Sequence, residues 1–521
     1  MKLSLEALKN REQWLSKGYA LPEYDIETVK RNTFERPEWI HFGAGNIFRA
    51  FLGAAAQRLL NAGLMDTGVI AFEGFDSETV EKAYRPFDNL SVGVTLVSSG
   101  TVKKEVLASI PEALTMKDDA RVKQIFRAPS LKMASFTITE KGYSLRFAER
   151  DAQGKPDEAT GLMGYLCRLL LERYNAGACP LALVSMDNCS HNGEKLENAV
   201  RFVIGAWLKN GYVDEGFVNY VSEKVTFPWS MIDKITPRPD ATVMKTLEED
   251  GFEDGGLIIT SKGTYTSAFV NAEEKEYLVI EDAFPNGRVP LDKAGIYFAS
   301  RKTVEDVERM KVTTCLNPLH TCLAVFGCLL GYKTIWQEMG DEDLCSMVNR
   351  IGYTEGLPVV TDPGIMDPKV FLSEVLTIRL PNSFLPDTPQ RIATDTSQKL
   401  SIRFGETIKA YIEKGMDLSV LKGIRLVEAG WLRYLMGVDD NGAEMEISAD
   451  PRLDEMKTRL GKLAFMHNEG AEEILLPILS DESIFGLDLV KAGLAGDIIA
   501  AFKQMNSGAG EVRKAIHALR A

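Results

Sequence analysis

The segment WIHFGAGNIFRAF, residues 39–51, limits the fold more than any other stretch of the chain. A short apolar run, Trp39–Phe42, leads straight into Gly43-Ala44-Gly45. A helical pattern follows, IFRAFLGAAAQRLLNAG, which Gly63 is placed to close. Next comes a second β-rich run, Gly68–Phe72, ending beside Glu73. Strand, glycine turn, helix, strand is a βαβ unit. In such a unit the first glycine permits the tight turn and the second lets the backbone approach a pyrophosphate. The helix N-terminus then presents unsatisfied N–H groups to the anion. Gly43, Ala44, Gly45, Asn46, Ile47, Phe48 and Arg49 are therefore candidate dinucleotide-binding residues. Phe48 stands where the third glycine of GxGxxG is expected, and GxG alone also fits an ordinary strand–turn–helix. Glu73 follows the second strand where an acid would hold a ribose 2′-OH, which tilts the reading to NAD and leaves NADP open. Asp76 competes for that role.

Further β-type runs at 91–98, 133–139 and 181–185 alternate with helical segments, predicting a mostly parallel sheet covered on both faces. GGLIITSKGTYTSAFV and EYLVIED extend the sheet or form a side hairpin, and from about Val304 the β signal gives way to amphipathic helix. The expected fold class is thus α/β, with a Rossmann-like domain over 1–300 and a mainly α-helical domain over 301–521. A chain of 521 residues exceeds one ordinary core, which agrees with two domains.

A net charge of −14 argues against a nucleic-acid partner and leaves room for a small-molecule substrate, in a monomer or small homo-oligomer. The N-terminus has no apolar signal segment, and the apolar stretch 323–332 is too short to span a bilayer. Seven cysteines, none in a CxxC pair, read as reduced thiols of a cytoplasmic protein. Five histidines without HExxH or HxH spacing make a metal site hard to build, so none is expected.

The richest polar cluster in an apolar setting is ERMKVTTCLNPLHTCLAVFGCLLGY, with Lys311, Asn317 and His320. Pro318 suits a first helical turn, which makes Asn317 a natural N-cap. Asn317 and His320, three apart, lie on neighbouring faces of that turn. The same residues also fit a cap, a core histidine and a solvated lysine.

At this point the sequence resembles the polyol-specific long-chain dehydrogenases, the family of mannitol 2-dehydrogenase, fructuronate reductase and tagaturonate reductase. The matching pieces, in order, are HFGAGNIFRAF, TITEKGY, SMDNCSHNG, FPWSMIDKITP, KVTTCLNPLHT and IRLPNSFLPDTPQRIATDTSQKL. The resemblance implies a metal-independent, NAD-dependent secondary-alcohol dehydrogenase with Lys311 as general acid/base. It implies Asn188 and Asn317 as donors to the substrate oxygen, and His320 as the residue that orients the substrate. Asp233, Arg379, Asn382 and Lys399 match positions that line the substrate site. Arg379 and Lys399 could pair with a carboxylate, which favours a keto sugar acid and its hexonate (fructuronate–mannonate or tagaturonate–altronate) over a mannitol- or arabinitol-type polyol.

One departure bears on the chemistry. The family usually places four residues between lysine and asparagine, and here five intervene, Val312 to Leu316. In a continuous helix the extra residue turns the lysine by ~100°. Either the segment before Pro318 is not regular helix, which the proline favours, or a bulge absorbs the residue, or Lys311 no longer aims at the substrate. The last option would make the chain a non-catalytic NAD-sensing protein.

Overall fold

The computed structural model describes residues 1–520, in two compact units that divide at Val304/Glu305. The first is built on a parallel sheet of six strands. In chain order these are β1 (Trp39–Phe42), β2 (Ile70–Glu73), β3 (Glu112–Thr115), β4 (Met133–Phe136), β5 (Leu181–Ser185) and β6 (Val225–Thr226). They lie in the order 3-2-1-4-5-6 with every pairing parallel. That order reverses between β1 and β4, and ligands of such sheets bind outside the carboxyl ends at the reversal. The strands read as continuous apolar runs because both faces are covered. Ile40, Phe42, Phe72 and Phe136 pack on one side, and Trp39, Ala71, Met133 and Val184 on the other.

The expected α/β class is what the structure shows, with differences in sheet membership. The run at 91–98 forms Ser91–Leu96, which leaves the main sheet for a separate four-stranded one. There it pairs antiparallel with Val102–Leu107 and parallel with Phe269–Glu273. Tyr277–Glu281 pairs antiparallel with Ser230–Asp233, outside the main sheet. Gly63 does follow its helix, Ala54–Asn61, at φ +65°, with Leu64 N–H reaching back to the Leu59 carbonyl at 2.9 Å.

The regular elements of the second unit are all helices, apart from two isolated bridges among its described residues. At its centre is Asn317–Leu330, most of whose residues are buried. With the helix before it, Arg301–Met310, this makes a run of 30 residues, long and apolar enough to cross a membrane, although the apolar stretch read from sequence was shorter. Its most apolar window is 83% buried inside the protein, the setting of a core helix.

Candidate active site

The glycine turn is held from every side. Gly43 has φ +108°, and a Cβ there would lie 2.2 Å from the Thr137 carbonyl oxygen at the end of β4. No other residue fits. Glu73, at the end of β2, fastens the turn: its carboxylate accepts from Ala44 N–H at 2.9 Å and from Phe75 and Asp76 N–H at 2.8 and 2.9 Å. Asp76 is turned away, buried and accepting from the hydroxyls of Thr260 and Thr264 at 2.6 Å each. Of the two acids, Glu73 is the one left beside the turn.

Phe48 and Arg49 serve the turn from beneath, with side chains fully buried. The Phe48 ring stacks flat on His41, with centroids 4.3 Å apart. His41 is bracketed by the hydroxyls of Ser135 and Thr137 at 2.7 and 2.8 Å, and burial pushes its pKa down to about 3, so the ring is neutral. Arg49 donates to Thr266 Oγ1 and the Ser267 carbonyl, both at 2.8 Å, and to Asn46 Oδ1 at 3.1 Å. Both side chains are thus committed within the protein, which leaves backbone as what these two candidate residues offer a cofactor. A third glycine is dispensable because the helix opens with a π-helical turn, Phe48–Gly53, that makes room for the Phe48–His41 stack. Gly45 is the open side, since a Cβ there would meet nothing within 4 Å. The N–H groups of Gly45, Asn46 and Ile47 begin the helix, where N–H groups have no i−4 partner. These residues fit a dinucleotide pyrophosphate.

The two loops at the carboxyl ends of β4 and β5 are laced together by Asp187. Its carboxylate accepts from Ile138 and Thr139 N–H at 3.0 and 2.7 Å and from Tyr143 Oη at 2.5 Å. Burial raises its pKa against those three donors. Asn192 closes the loop with bonds to the Asp187 and Ser230 carbonyls, both at 2.9 Å. Asn188 is presented, exposed, on this frame, while Asp233 ends its strand buried.

In the second unit, Lys311 opens a π-helical turn, Lys311–Cys315, with regular helix on either side. Leu316 N–H bonds to the Lys311 carbonyl at 3.1 Å, an i to i−5 bond that holds one more residue than an α-turn. The extra residue between Lys311 and Asn317 is therefore absorbed as a bulge, and the expectation of an irregular segment is corrected. The N-cap expectation for Asn317 is corrected too. Leu316 occupies that position, and its carbonyl accepts from His320 N–H at 3.1 Å. A helix entered from a π-turn does not begin at a free end, so a side-chain cap is not required. Among the described residues, no hydrogen bond uses the Asn317 side-chain amide, and the residue's backbone carbonyl accepts from Thr321 Oγ1 at 3.1 Å and Arg403 Nη1 at 3.4 Å. Lys311 is buried, and His320 is half-buried one turn further on.

Arg379 ends another π-helical turn, Val375–Arg379, and is buried with Asn382, whose N–H reaches the Arg379 carbonyl at 3.2 Å. Lys399 holds its own loop: its ammonium donates to the Ile392 carbonyl at 3.1 Å and to the Thr394 carbonyl. Burial and then Arg403 push its pKa down to about 8. Arg403 escaped the sequence reading. Its guanidinium also donates to Thr321 Oγ1, and burial lowers its pKa to about 10. Among the described residues no carboxylate pairs with it. Its only sequence signal is a position four residues after Lys399.

A 3-2-1-4-5-6 parallel sheet with a glycine turn and an acid-braced second strand defines a Rossmann-fold dinucleotide enzyme. A family model of the mannitol dehydrogenase Rossmann domain matches residues 37–293, and one of the mannitol dehydrogenase C-terminal domain matches 303–506. The chain belongs to the mannitol dehydrogenase family and is an NAD-dependent dehydrogenase. It is 49% identical over 531 residues to a D-mannonate oxidoreductase of Thermotoga maritima, covering 99% of this chain and 98% of the relative. Among solved structures it is similar to substrate-free D-sorbitol dehydrogenase (TM-score 0.81, 25% identity, 96% of this chain and 97% of the other). It also has the fold of Pseudomonas fluorescens mannitol 2-dehydrogenase in a ternary complex with NAD and D-mannitol (TM-score 0.71, 23% identity, 100% of this chain and 99% of the other). Among the described residues, no group of three or more His, Cys, Asp or Glu is placed to hold a metal.

Proposed function

We propose that the chain interconverts a hexonate and its keto sugar acid, of the mannonate–fructuronate or altronate–tagaturonate kind, using NAD(H). The full-length likeness to a D-mannonate oxidoreductase supports the substrate class. The observation that carries the chemistry is the helix entry, where the π-turn keeps Lys311 in the segment that presents Asn317 with an uncommitted amide. NAD(H), when bound, takes or gives the hydride.

In oxidation, Lys311 Nζ takes the hydroxyl proton as the carbinol hydrogen departs with its electron pair; in reduction it returns that proton to the carbonyl oxygen. The Asn317 amide donates to that oxygen as charge develops on it, and His320 orients the substrate. Arg379 and Asn382 line the substrate site. Arg403, a half-buried cation beside Asn317 without a carboxylate partner, favours an anionic substrate over a neutral polyol. The π-turn also supports a catalytic chain over a sensor without chemistry. The seven free cysteines support a cytoplasmic setting.

The test is NADH oxidation against fructuronate, tagaturonate, fructose and a pentulose. Turnover with a keto sugar acid at least tenfold more efficient than with the neutral ketoses is expected. Preference for fructose would move the assignment to a polyol dehydrogenase, and binding of NADH without turnover on any of the four would sink it.

A further inference from the structure

Phe75 is the most exposed large apolar residue among those described, at 75%. It lies two residues beyond Glu73, on the β3-β2-β1 half of the sheet where the adenosine end of a dinucleotide lies. Exposed phenylalanines usually ride on loose loop tips; this one is fixed from both sides. Its N–H donates to Glu73, whose carboxylate also holds the glycine turn. Its carbonyl accepts from the Lys262 ammonium, which lies 4.0 Å from the ring centroid.

Lys262 comes from a hairpin whose strands are Ile258–Ile259 and Tyr265–Thr266. Three further bonds hold that hairpin to the loop after β2 and the helix that follows it: Thr260 and Thr264 hydroxyls to Asp76, and Ser261 N–H to Glu78 at 3.1 Å. At its other end the hairpin is held to the glycine turn by Asn46 and Arg49. Pyrophosphate turn, ribose acid and exposed ring are thus one braced unit. A lysine over one face of the ring strengthens that geometry by cation–π attraction.

We propose that Phe75 is the adenine platform of the dinucleotide site, the base stacking on its ring, with Lys262 as the residue that positions the ring. This rests on the dinucleotide reading of the turn. The test measures binding of NADH and of reduced nicotinamide mononucleotide, which lacks the adenosine, to the full chain by calorimetry. Phe75→Ala weakens NADH about tenfold, the effect of losing one base–aromatic stack, and leaves the mononucleotide unchanged. Phe75→Trp restores NADH binding. Lys262→Ala weakens NADH about threefold, again without touching the mononucleotide. Unchanged NADH affinity in Phe75→Ala, or equal loss of both ligands, would overturn the platform. A wild-type chain that bound neither ligand would instead overturn the dinucleotide reading beneath it.

Discussion

Two of the helices that the chain enters through a π-helical turn, those after Phe48–Gly53 and Lys311–Cys315, use the side chains there in opposite ways. At the first, Phe48, Arg49 and Glu73 are all engaged in holding the backbone, and what remains for a ligand is a row of N–H groups over Gly45. At the second, the backbone satisfies itself through the Leu316–Lys311 bond, and the Asn317 amide is left uncommitted. The cofactor's phosphates need fixed dipoles, which backbone supplies. The reacting oxygen needs a group that exchanges a proton, which a side chain supplies.

The largest effect expected concerns the second turn. Lys311→Ala should lower kcat by about 10²–10⁴-fold, the range for loss of a general acid/base, while calorimetry shows NADH affinity within about twofold of wild type. A variant with near-normal turnover would break the division of labour.

Asn317→Ala should reduce kcat/KM by roughly 10²–10³-fold and leave the thermal midpoint almost unchanged. If Asn317 were instead a helix cap, its loss would cost about 1 kcal/mol of stability, so a clear fall in the midpoint would count against the side chain being free for substrate. Gly43→Ala tests the first turn, where the cost is in stability and cofactor binding together. Strain and the clash with the Thr137 carbonyl should remove about 3 kcal/mol, read by urea unfolding. NADH binding should fall with it.

A last effect, graded by pH, lies behind the helix Asn317–Leu330. Glu338 is fully buried with both carboxylate oxygens lacking partners among the described residues, and a Cβ on Gly327 would lie 2.3 Å from its Oε1. Burial, then Asp341, raises its pKa to about 10. Between pH ~4.5, where the unfolded carboxyl titrates, and that value, the unfolded chain gives up a proton that the folded chain keeps. Stability therefore falls as pH rises through this window. Glu338→Gln removes that slope, so its unfolding midpoint should gain on wild type between pH 6 and pH 9. An equal difference at both would show that the carboxyl is already ionised in the folded protein.

Much of the first unit was legible because its central strands are apolar on both faces and announce themselves without a partner. Val102–Leu107, VKKEVL, was passed over because three charges obscure the β pattern. Ser91–Leu96 was read as a strand, yet nothing local says which sheet will receive it: its partner Phe269–Glu273 is nearly two hundred residues away. At the candidate site the glycine turn and the lysine segment were readable from local order. Lys399's tie to its own loop and Arg403's place beside Asn317 were not, since both depend on how one helical stretch folds back on another.

The π-turn at Lys311 has a consequence for how relatives of this chain are found. A search pattern with a fixed gap between lysine and asparagine would pass over it and score the lysine as missing. The inserted residue shifts the text of the sequence by one letter, and the wider hydrogen-bonded loop takes up that shift before Asn317 is reached. Patterns for such sites are better written with a gap of variable length wherever a helix can take up a residue in this way.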